Sequence, residues 1–144
     1  MKIAVDFDGT IVEHQYPEIG KEKLFAFQTL KELEKKGARI ILWTFRTGKE
    51  LEDAVSFCRQ NGIEFYAVNK NYPEEVQDET VSRKIDADIY IDDKNIGGFP
   101  GWSEVWQMFY PFEIQQKEAE KRITSARKNI FRRLFARKKR TDEN

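Results

Sequence analysis

The first residues of the chain combine a short apolar run with a pair of carboxylates. Residues 3–5 read Ile-Ala-Val; Asp6 follows directly, and Asp8 comes two residues later. A short apolar run that is rich in β-branched residues predicts a buried strand. If the backbone stays extended, Asp6 and Asp8 point to the same side, and Gly9 then allows a sharp turn. Two carboxylates at the end of a buried strand are costly unless a cation or a reaction requires them, so we expect a functional site here.

Polar residues also follow three further apolar runs that we interpret as strands. The runs are residues 38–43, 63–68 and 87–91. The residues that follow them are Thr44, Asn69, and the pair Asp92 and Asp93. Polar residues commonly mark strand ends, but this tendency does not explain two carboxylates after one strand and two more after another.

Helical patterns separate these strands. The predicted helices cover residues 21–36, 48–61, 103–110 and 113–137. The first has an apolar stripe made of Leu24, Phe27, Leu30 and Leu33. Gly37 is placed to end that helix, and Thr47 with Glu50 has the capping-box spacing at the start of the second. Strands that alternate with helices predict a parallel α/β sheet covered on both faces, with ligands bound beyond the carboxyl ends of the strands where the strand order reverses.

The two carboxylate pairs define a hard, negative site with oxygen ligands only. It consists of Asp6, Asp8, Asp92 and Asp93. Carboxylate oxygens completed by water suit Mg²⁺, and the natural ligand of such a metal is a phosphate. The Thr44 hydroxyl, backbone N–H groups in the turns and a lysine are available phosphate donors. One aspartate of the first pair could attack phosphorus while the other protonates the leaving alkoxide and later activates water.

These motifs, in this order, resemble the haloacid dehalogenase superfamily of phosphohydrolases over roughly residues 1–110. The matching features are Asp6-Phe7-Asp8-Gly9-Thr10, Thr44 after a strand, a lysine, and Asp92-Asp93 after another strand. The resemblance implies a Rossmann-like three-layer α/β/α fold with a small parallel sheet. It implies Asp6 as nucleophile, Asp8 as general acid and base, and Thr44 as a ligand of the transferring phosphoryl group. It also implies Mg²⁺ held by Asp6, the backbone carbonyl of Asp8 and Asp92, with Asp93 assisting.

Three basic or titratable side chains have less defined roles. The lysine of the family falls most naturally on Lys84, a catalytic and phosphate-binding assignment for which Lys94 and Lys70 are alternatives. Arg46 lies two residues after Thr44. It is either a bidentate ligand of a substrate phosphate or carboxylate, or a surface arginine at a helix start. For His14, the only histidine, we expect a surface role.

Two details of the resemblance restrict the type of reaction and the size of substrate that we expect. True dehalogenases of the superfamily lack the second carboxylate of the first motif, because a halide leaves without a proton. Asp8 therefore favours a phosphate ester. The segments after Thr10 and after Asn69 are too short for the large cap insertions of other members, so we expect a capless domain. An open site suits large substrates, or small ones if an oligomeric partner closes it.

Length indicates one domain, and the cysteine count indicates a reducing compartment. The chain has 144 residues, which we divide into a hydrolase core at 1–112 and a basic amphipathic tail at 113–144. Cys58 is the only cysteine, so no internal disulfide can form and a cytoplasmic location is expected. We expect Cys58 to be a buried hydrophobe. We expect neither a transmembrane segment nor a signal peptide.

The zero net charge hides an asymmetry between the core and the tail. Residues 117–144 carry 11 basic and 4 acidic side chains, whereas the rest of the chain is acidic. The tail could pack on the domain or a second subunit, bind nucleic acid, lie on an anionic membrane surface, or be a flexible end.

Three functions follow as hypotheses from these features. The first is an Mg²⁺-dependent phosphatase that hydrolyses a phosphomonoester, of a small molecule rather than a macromolecule, through an aspartyl-phosphate. The second is a nucleic-acid end-processing phosphatase that uses the tail. The third is a non-catalytic phosphate-binding module.

Overall fold

The described part of the chain contains four strands and three helices within a Rossmann-like α/β arrangement. A computed structural model describes residues 1–113, 116, 119–125 and 127–128. The elements are β1 (Lys2–Val5), α1 (Ala26–Lys35), β2 (Arg39–Leu42), α2 (Gly48–Gln60), β3 (Ala67–Val68), β4 (Ile89–Ile91) and α3 (Trp102–Phe109).

The four strands form one parallel sheet in the order β3-β2-β1-β4. In β1, Ile3 pairs with Ile40 on one side and with Ile89 on the other. The chain therefore moves outward from β1 through β2 to β3 and then crosses to the opposite side of β1 for β4. The order reverses between β1 and β4, and this reversal places a crevice beyond the carboxyl ends of these two strands.

Burial explains why the apolar runs form the centre of the sheet. Ile3, Ala4 and Val5 of β1 and Ile40 to Leu42 of β2 are at most 1% exposed. Such uniformly apolar strands are expected where helices cover a parallel sheet. Removing each branched side chain from water contributes about 1.5–3 kcal/mol, which fixes the strand ends that carry the polar residues.

The helices supply a second part of the core. In α1, the buried residues are Ala26, Phe27, Thr29, Leu30 and Leu33. Phe57 of α2 packs its ring against those of Phe27 and Phe7, at centroid distances of 5.8 and 6.3 Å. Cys58 is fully buried, as predicted, and burial raises the pKa of its thiol to about 12. Cys58 is therefore a packing residue rather than a reactive thiol.

The start of the first helix differs from the prediction. We expected a helix from residue 21, but α1 begins at Ala26. The preceding residues pair with the segment after β1 instead: the Glu13 N–H donates to the Lys21 carbonyl at 2.7 Å, and the Lys23 N–H to the Ile11 carbonyl at 2.9 Å. As a result Leu24 is 76% exposed rather than part of the apolar stripe.

Two other local expectations were wrong in detail. Strand β3 is limited to Ala67–Val68, not residues 63–68. Thr47 occupies the N-cap of α2 with an extended backbone, but its side chain makes no capping hydrogen bond. The predicted end of α1 at Gly37 agrees with the positive φ angle of 89° at this residue.

The chain separates into two compact units, one at Met1–Val105 and one that begins at Trp106. Our predicted boundary was at residue 112. In the second unit, the described residues from 111 onward are helical, and the rest of the predicted 113–137 helix lies outside the described residues. None of the helices in the described part is long and apolar enough to cross a membrane.

Candidate functional site

Three carboxylates meet where the strand order reverses. Asp6 follows β1 and Asp92 follows β4, and the two strands are aligned with Val5 opposite Ile91. The Asp6 N–H extends this pairing by donating to the Ile91 carbonyl at 2.9 Å. One carboxylate oxygen from each of Asp6, Asp92 and Asp93 lies within 4.8 Å of the others. The predicted convergence of the two carboxylate pairs is therefore confirmed for these three side chains.

The environment of Asp6 penalises its negative charge. The residue is 8% exposed. Burial, followed by the charges of Asp92 and Asp93, raises the pKa of Asp6 from 3.8 to about 7, against hydrogen bonds from the Phe7 backbone and the Thr10 side chain. The Thr10 hydroxyl donates to Asp6 Oδ2 at 3.2 Å. A cation in the cluster would remove this penalty, because it favours the ionised carboxylate.

Asp93 provides the test of whether the cluster fits a metal. Its Oδ1 atom is buried and has no hydrogen-bond partner among the described residues. A buried acceptor without a partner is costly, so this oxygen calls for a ligand. Gly9 makes room for this carboxylate, since a Cβ at Gly9 would overlap Asp93 Oδ2. Carboxylate oxygens without histidine or cysteine fit a hard divalent cation such as Mg²⁺.

Asp8 is held apart from this cluster by Arg46. The Arg46 Nε and Nη2 atoms donate to Asp8 Oδ2 and Oδ1 at 2.6 and 2.7 Å, and both side chains are 1% exposed. The hydrogen bond to Asp8 raises the pKa of the Arg46 guanidinium. The two carboxylates of the first motif thus have different partners: Asp6 faces other acids, whereas Asp8 faces a cation.

The placement of Arg46 corrects our sequence-based alternatives for this residue. It is fully buried and is therefore not a surface arginine at a helix start. Its guanidinium also donates to the carbonyl oxygens of Pro17 and Glu18, both at 2.8 Å. Because four of its five N–H groups already have partners, a bidentate contact with substrate does not agree with this geometry.

Thr44 and Asn69 stand together at the ends of β2 and β3. Thr44 is 8% exposed, and its backbone N–H donates to Asn69 Oδ1 at 2.8 Å. The Thr44 hydroxyl accepts from the Arg46 N–H at 3.3 Å, which leaves its own proton available to a ligand. Asn69 thus fixes the loop that carries Thr44.

A cavity of about 320 Å³ connects these groups. It is lined by Asp6, Asp8, His14, Trp43, Thr44, Phe45, Asp92, Asp93 and Lys94. The volume suits a phosphoryl group together with part of its leaving group. All predicted aspartates and Thr44 therefore share one cavity, and His14, for which we expected only a surface role, also lines it.

The candidate lysines are divided between the cavity and its surroundings. Lys94 lines the cavity, and its Nζ lies 3.5 Å from Asp93 Oδ2. Lys84 is exposed, lies with its Nζ 5.4 Å from the centre of the Tyr90 ring, and does not line this cavity. The Nζ of Lys70 donates to the Pro73 carbonyl at 3.1 Å.

A second cavity of about 920 Å³ shares Trp43 and Thr44 with the first. Its other lining residues are polar or charged apart from one valine: Thr47, Asn69, Gln77, Asp78, Glu79, Val81 and Arg83. Two acidic side chains and one basic side chain give this surface a mildly negative character.

Several contributors to the site were missed by sequence reasoning. Thr10 was part of the recognised motif but had no assigned role, and Trp43 and Phe45 were seen only as strand and loop residues. The sequence signal for Trp43 and Phe45 was their position on either side of Thr44. Residues next to a binding residue at a strand end commonly line the same cavity.

Fold and site together define a parallel α/β protein with an acidic cluster at its topological switch point. The chain is 53% identical to a conserved protein from Bacteroides thetaiotaomicron with a solved structure, at a TM-score of 0.73. The match covers 77% of this chain and 90% of that protein. The chain belongs to the family of this conserved protein. No protein-family model and no curated protein matches the chain.

Proposed function

We propose that the protein is an Mg²⁺-dependent phosphomonoesterase of the haloacid dehalogenase type. The observation that carries the proposal is the arrangement around Asp6. An acidic cluster suited to a divalent cation lies on one side, and a separately held carboxylate, Asp8, lines the same cavity. Thr44 completes the set with a hydroxyl whose proton is free for a phosphoryl oxygen.

In the proposed reaction Asp6 attacks phosphorus and the bond to the leaving oxygen breaks. Asp8 gives its proton to that oxygen, so that the product leaves as an alcohol. Asp8 then takes a proton from water, which attacks phosphorus and breaks the bond to Asp6. Inorganic phosphate is released, and Asp8 ends the cycle protonated as it began it.

The residues that would hold Mg²⁺ are Asp6, Asp92 and Asp93, with the Asp8 backbone carbonyl added by the family resemblance. A bound Mg²⁺ would neutralise phosphate charge and favour the ionised form of Asp6. The Asp8 side chain is not one of the clustered groups, because both of its oxygens accept hydrogen bonds from Arg46. Two lysines are candidates for the phosphate-binding role. The family resemblance favours Lys84, whereas the place of Lys94 in the cavity favours Lys94.

The surroundings of the site favour a small polar substrate. Residues 70–88 between β3 and β4 contain neither helix nor strand, which supports a capless domain. The adjoining 920 Å³ cavity offers hydroxyl, amide and carboxylate groups. Such groups bind hydroxyl-rich leaving groups, whereas Asp78 and Glu79 repel the polyanionic backbone of a nucleic acid. The single buried thiol agrees with a cytoplasmic location.

The first test compares two aspartate-to-asparagine variants on an aryl phosphate. Asp6→Asn should lose at least about a thousandfold in kcat, because an amide does not serve as the nucleophile. Asp53→Asn is the matched control, since Asp53 is 51% exposed in a surface ion pair with Lys49 and should keep wild-type turnover. Wild-type activity should vanish in EDTA and return with Mg²⁺. Turnover in Asp6→Asn equal to that of the wild type would overturn the proposal.

A further inference from the structure

We propose that Arg46 is a positioning residue for proton transfer: its guanidinium fixes the plane of the Asp8 carboxylate at the edge of the cavity. This inference rests on the proposed function, because it assigns a role within that reaction. The inference goes beyond the proposed function because it names a residue that affects proton transfer without touching the substrate.

The geometry of the pair is the first support. Two N–H groups of one guanidinium bind the two oxygens of one carboxylate, at 2.6 and 2.7 Å. This fork arrangement allows one orientation of the carboxylate plane, whereas a single hydrogen bond would allow rotation. Both side chains are 1% exposed, so water does not compete for these hydrogen bonds.

The other side of the guanidinium is fixed as firmly as the side that faces Asp8. Its Nη1 and Nη2 atoms donate to the carbonyl oxygens of Pro17 and Glu18. Its Cζ lies 5.0 Å from the centre of the Phe7 ring and 5.2 Å from that of Tyr16. These contacts prevent the guanidinium from following Asp8 if the carboxylate turns. Arg46 is therefore fixed in place itself, and it fixes the orientation of the Asp8 carboxylate.

Arg46 leaves part of the Asp8 carboxylate open to the cavity. A carboxylate has about four lone-pair sites, and Arg46 occupies one on each oxygen. Asp8 also lines the cavity that contains Asp6 and Thr44. The remaining sites can thus serve the leaving oxygen in the first step and water in the second. A proton donor must be within hydrogen-bond reach of its acceptor, so a turn of the Asp8 carboxylate would impair both steps.

The test uses two phosphate esters that differ in their need for a proton. A simple alkyl phosphate requires general acid catalysis because its alkoxide is a poor leaving group. A dinitrophenyl phosphate does not, because its phenolate leaves without a proton. Arg46→Lys keeps the charge but removes the fork, so it should reduce kcat on the alkyl ester at least about tenfold more than on the aryl ester. Asp8→Asn should show the same selectivity to a larger extent.

Two further variants separate positioning from structural support. Arg59→Lys makes the same substitution at an arginine whose side chain is 63% exposed beside Glu64, and it should behave as wild type. In the Asp8→Asn background, Arg46→Lys should cause no additional loss on the alkyl ester, because a positioning residue acts only through the group it holds. All variants are compared at matched folded fractions, measured by circular dichroism.

The outcomes distinguish this inference from the function on which it rests. Equal losses on both esters in folded Arg46→Lys, or an undiminished loss in the Asp8→Asn background, would overturn the positioning role alone. Absence of turnover by the wild-type protein on both esters would overturn the phosphatase proposal together with the role of Arg46. An Arg46→Lys protein that is folded and fully active on the alkyl ester would also contradict the inference.

Discussion

Asp6 and Asp8 are two residues apart, yet their side chains have opposite electrostatic surroundings. Asp6 faces Asp92 and Asp93 in a nearly closed position, which penalises its negative charge. Both carboxylate oxygens of Asp8 accept hydrogen bonds from Arg46, and this ion pair offsets the free-energy cost of burying the Asp8 side chain. Such a divergence between neighbouring acids is characteristic of catalytic pairs, in which one group attacks or binds a metal and the other moves protons.

The raised pKa of Asp6 predicts that the free energy of unfolding of the metal-free protein depends on pH. In the unfolded chain this carboxyl loses its proton near 3.8, whereas in the folded protein it does so near 7. Between these values the folded state binds more protons, so the free energy of unfolding falls as pH rises and levels off above 7. Asp6→Asn removes this loss. In EDTA it should be more stable than wild type, by up to about 4 kcal/mol at pH 8 and by little at pH 4.

Thermal unfolding at both pH values measures this effect, with Asp53→Asn as the control. The stabilisation should disappear when Mg²⁺ is added, because the metal then favours the ionised Asp6 of the wild type. An Asp6→Asn variant that shows the same stability difference at pH 4 and pH 8 would contradict the assignment of the cost to this carboxyl.

The residues of the site were predictable to different degrees. Asp6 and Asp92 could be identified because a charged residue directly after a buried apolar run is visible in the sequence. The partner of Asp8 could not be, since Arg46 is 38 residues away and the pairing depends on the neighbouring positions of β1 and β2. The position of Lys84 beside Tyr90 likewise depends on the irregular path of residues 70–88.

At the scale of elements, the turn after β1 sets the geometry of the acidic cluster. Gly9 has φ 89°, and a Cβ there would overlap Asp93. The glycine thus serves two needs at once: a left-handed backbone and close approach of the carboxylate. The sequence suggested the first need, whereas the second appears only once β4 is placed beside β1.

Gly9→Ala should therefore damage metal binding more than it damages the fold. The left-handed backbone costs an alanine about 1–2 kcal/mol, and the displaced Asp93 should weaken Mg²⁺ binding at least about tenfold. Gly37→Ala is the matched control, because Gly37 has the same φ of 89° but no described atom within 4 Å of a Cβ. Calorimetric titration with Mg²⁺ compares the two. Equal Mg²⁺ affinity in both variants would contradict the proposed role of Asp93.

The late start of α1 has a physical cause. Residues 21–25 have a helical pattern, but hydrogen bonds to residues 11–13 offer their backbone groups a different set of partners. Tertiary pairing of this kind overrides local propensity and leaves no periodic signal in the sequence. By contrast, β1 and β2 were located within one or two residues, because their nearly complete burial requires an uninterrupted apolar run.

At the scale of the whole molecule, the strand order brings the residues of the candidate site together. Alternating strands and helices predicted a parallel α/β sheet, and this is confirmed; the order β3-β2-β1-β4 adds the position of the crevice. Asp6 and Asp92 are 86 residues apart in sequence but follow adjacent strands. The match to the conserved Bacteroides protein covers 77% of the chain and supports the same fold for that family.

The most direct test of the central claim is to find the phosphoryl group on the protein. Wild-type protein with Mg²⁺ and an aryl phosphate is quenched in acid during turnover, and its peptides are analysed by mass spectrometry. We predict one phosphoryl group on the N-terminal peptide, located at Asp6, and none in Asp6→Asn. Turnover by the wild type with no phosphoryl group on Asp6, or with that group on another residue, would contradict the account.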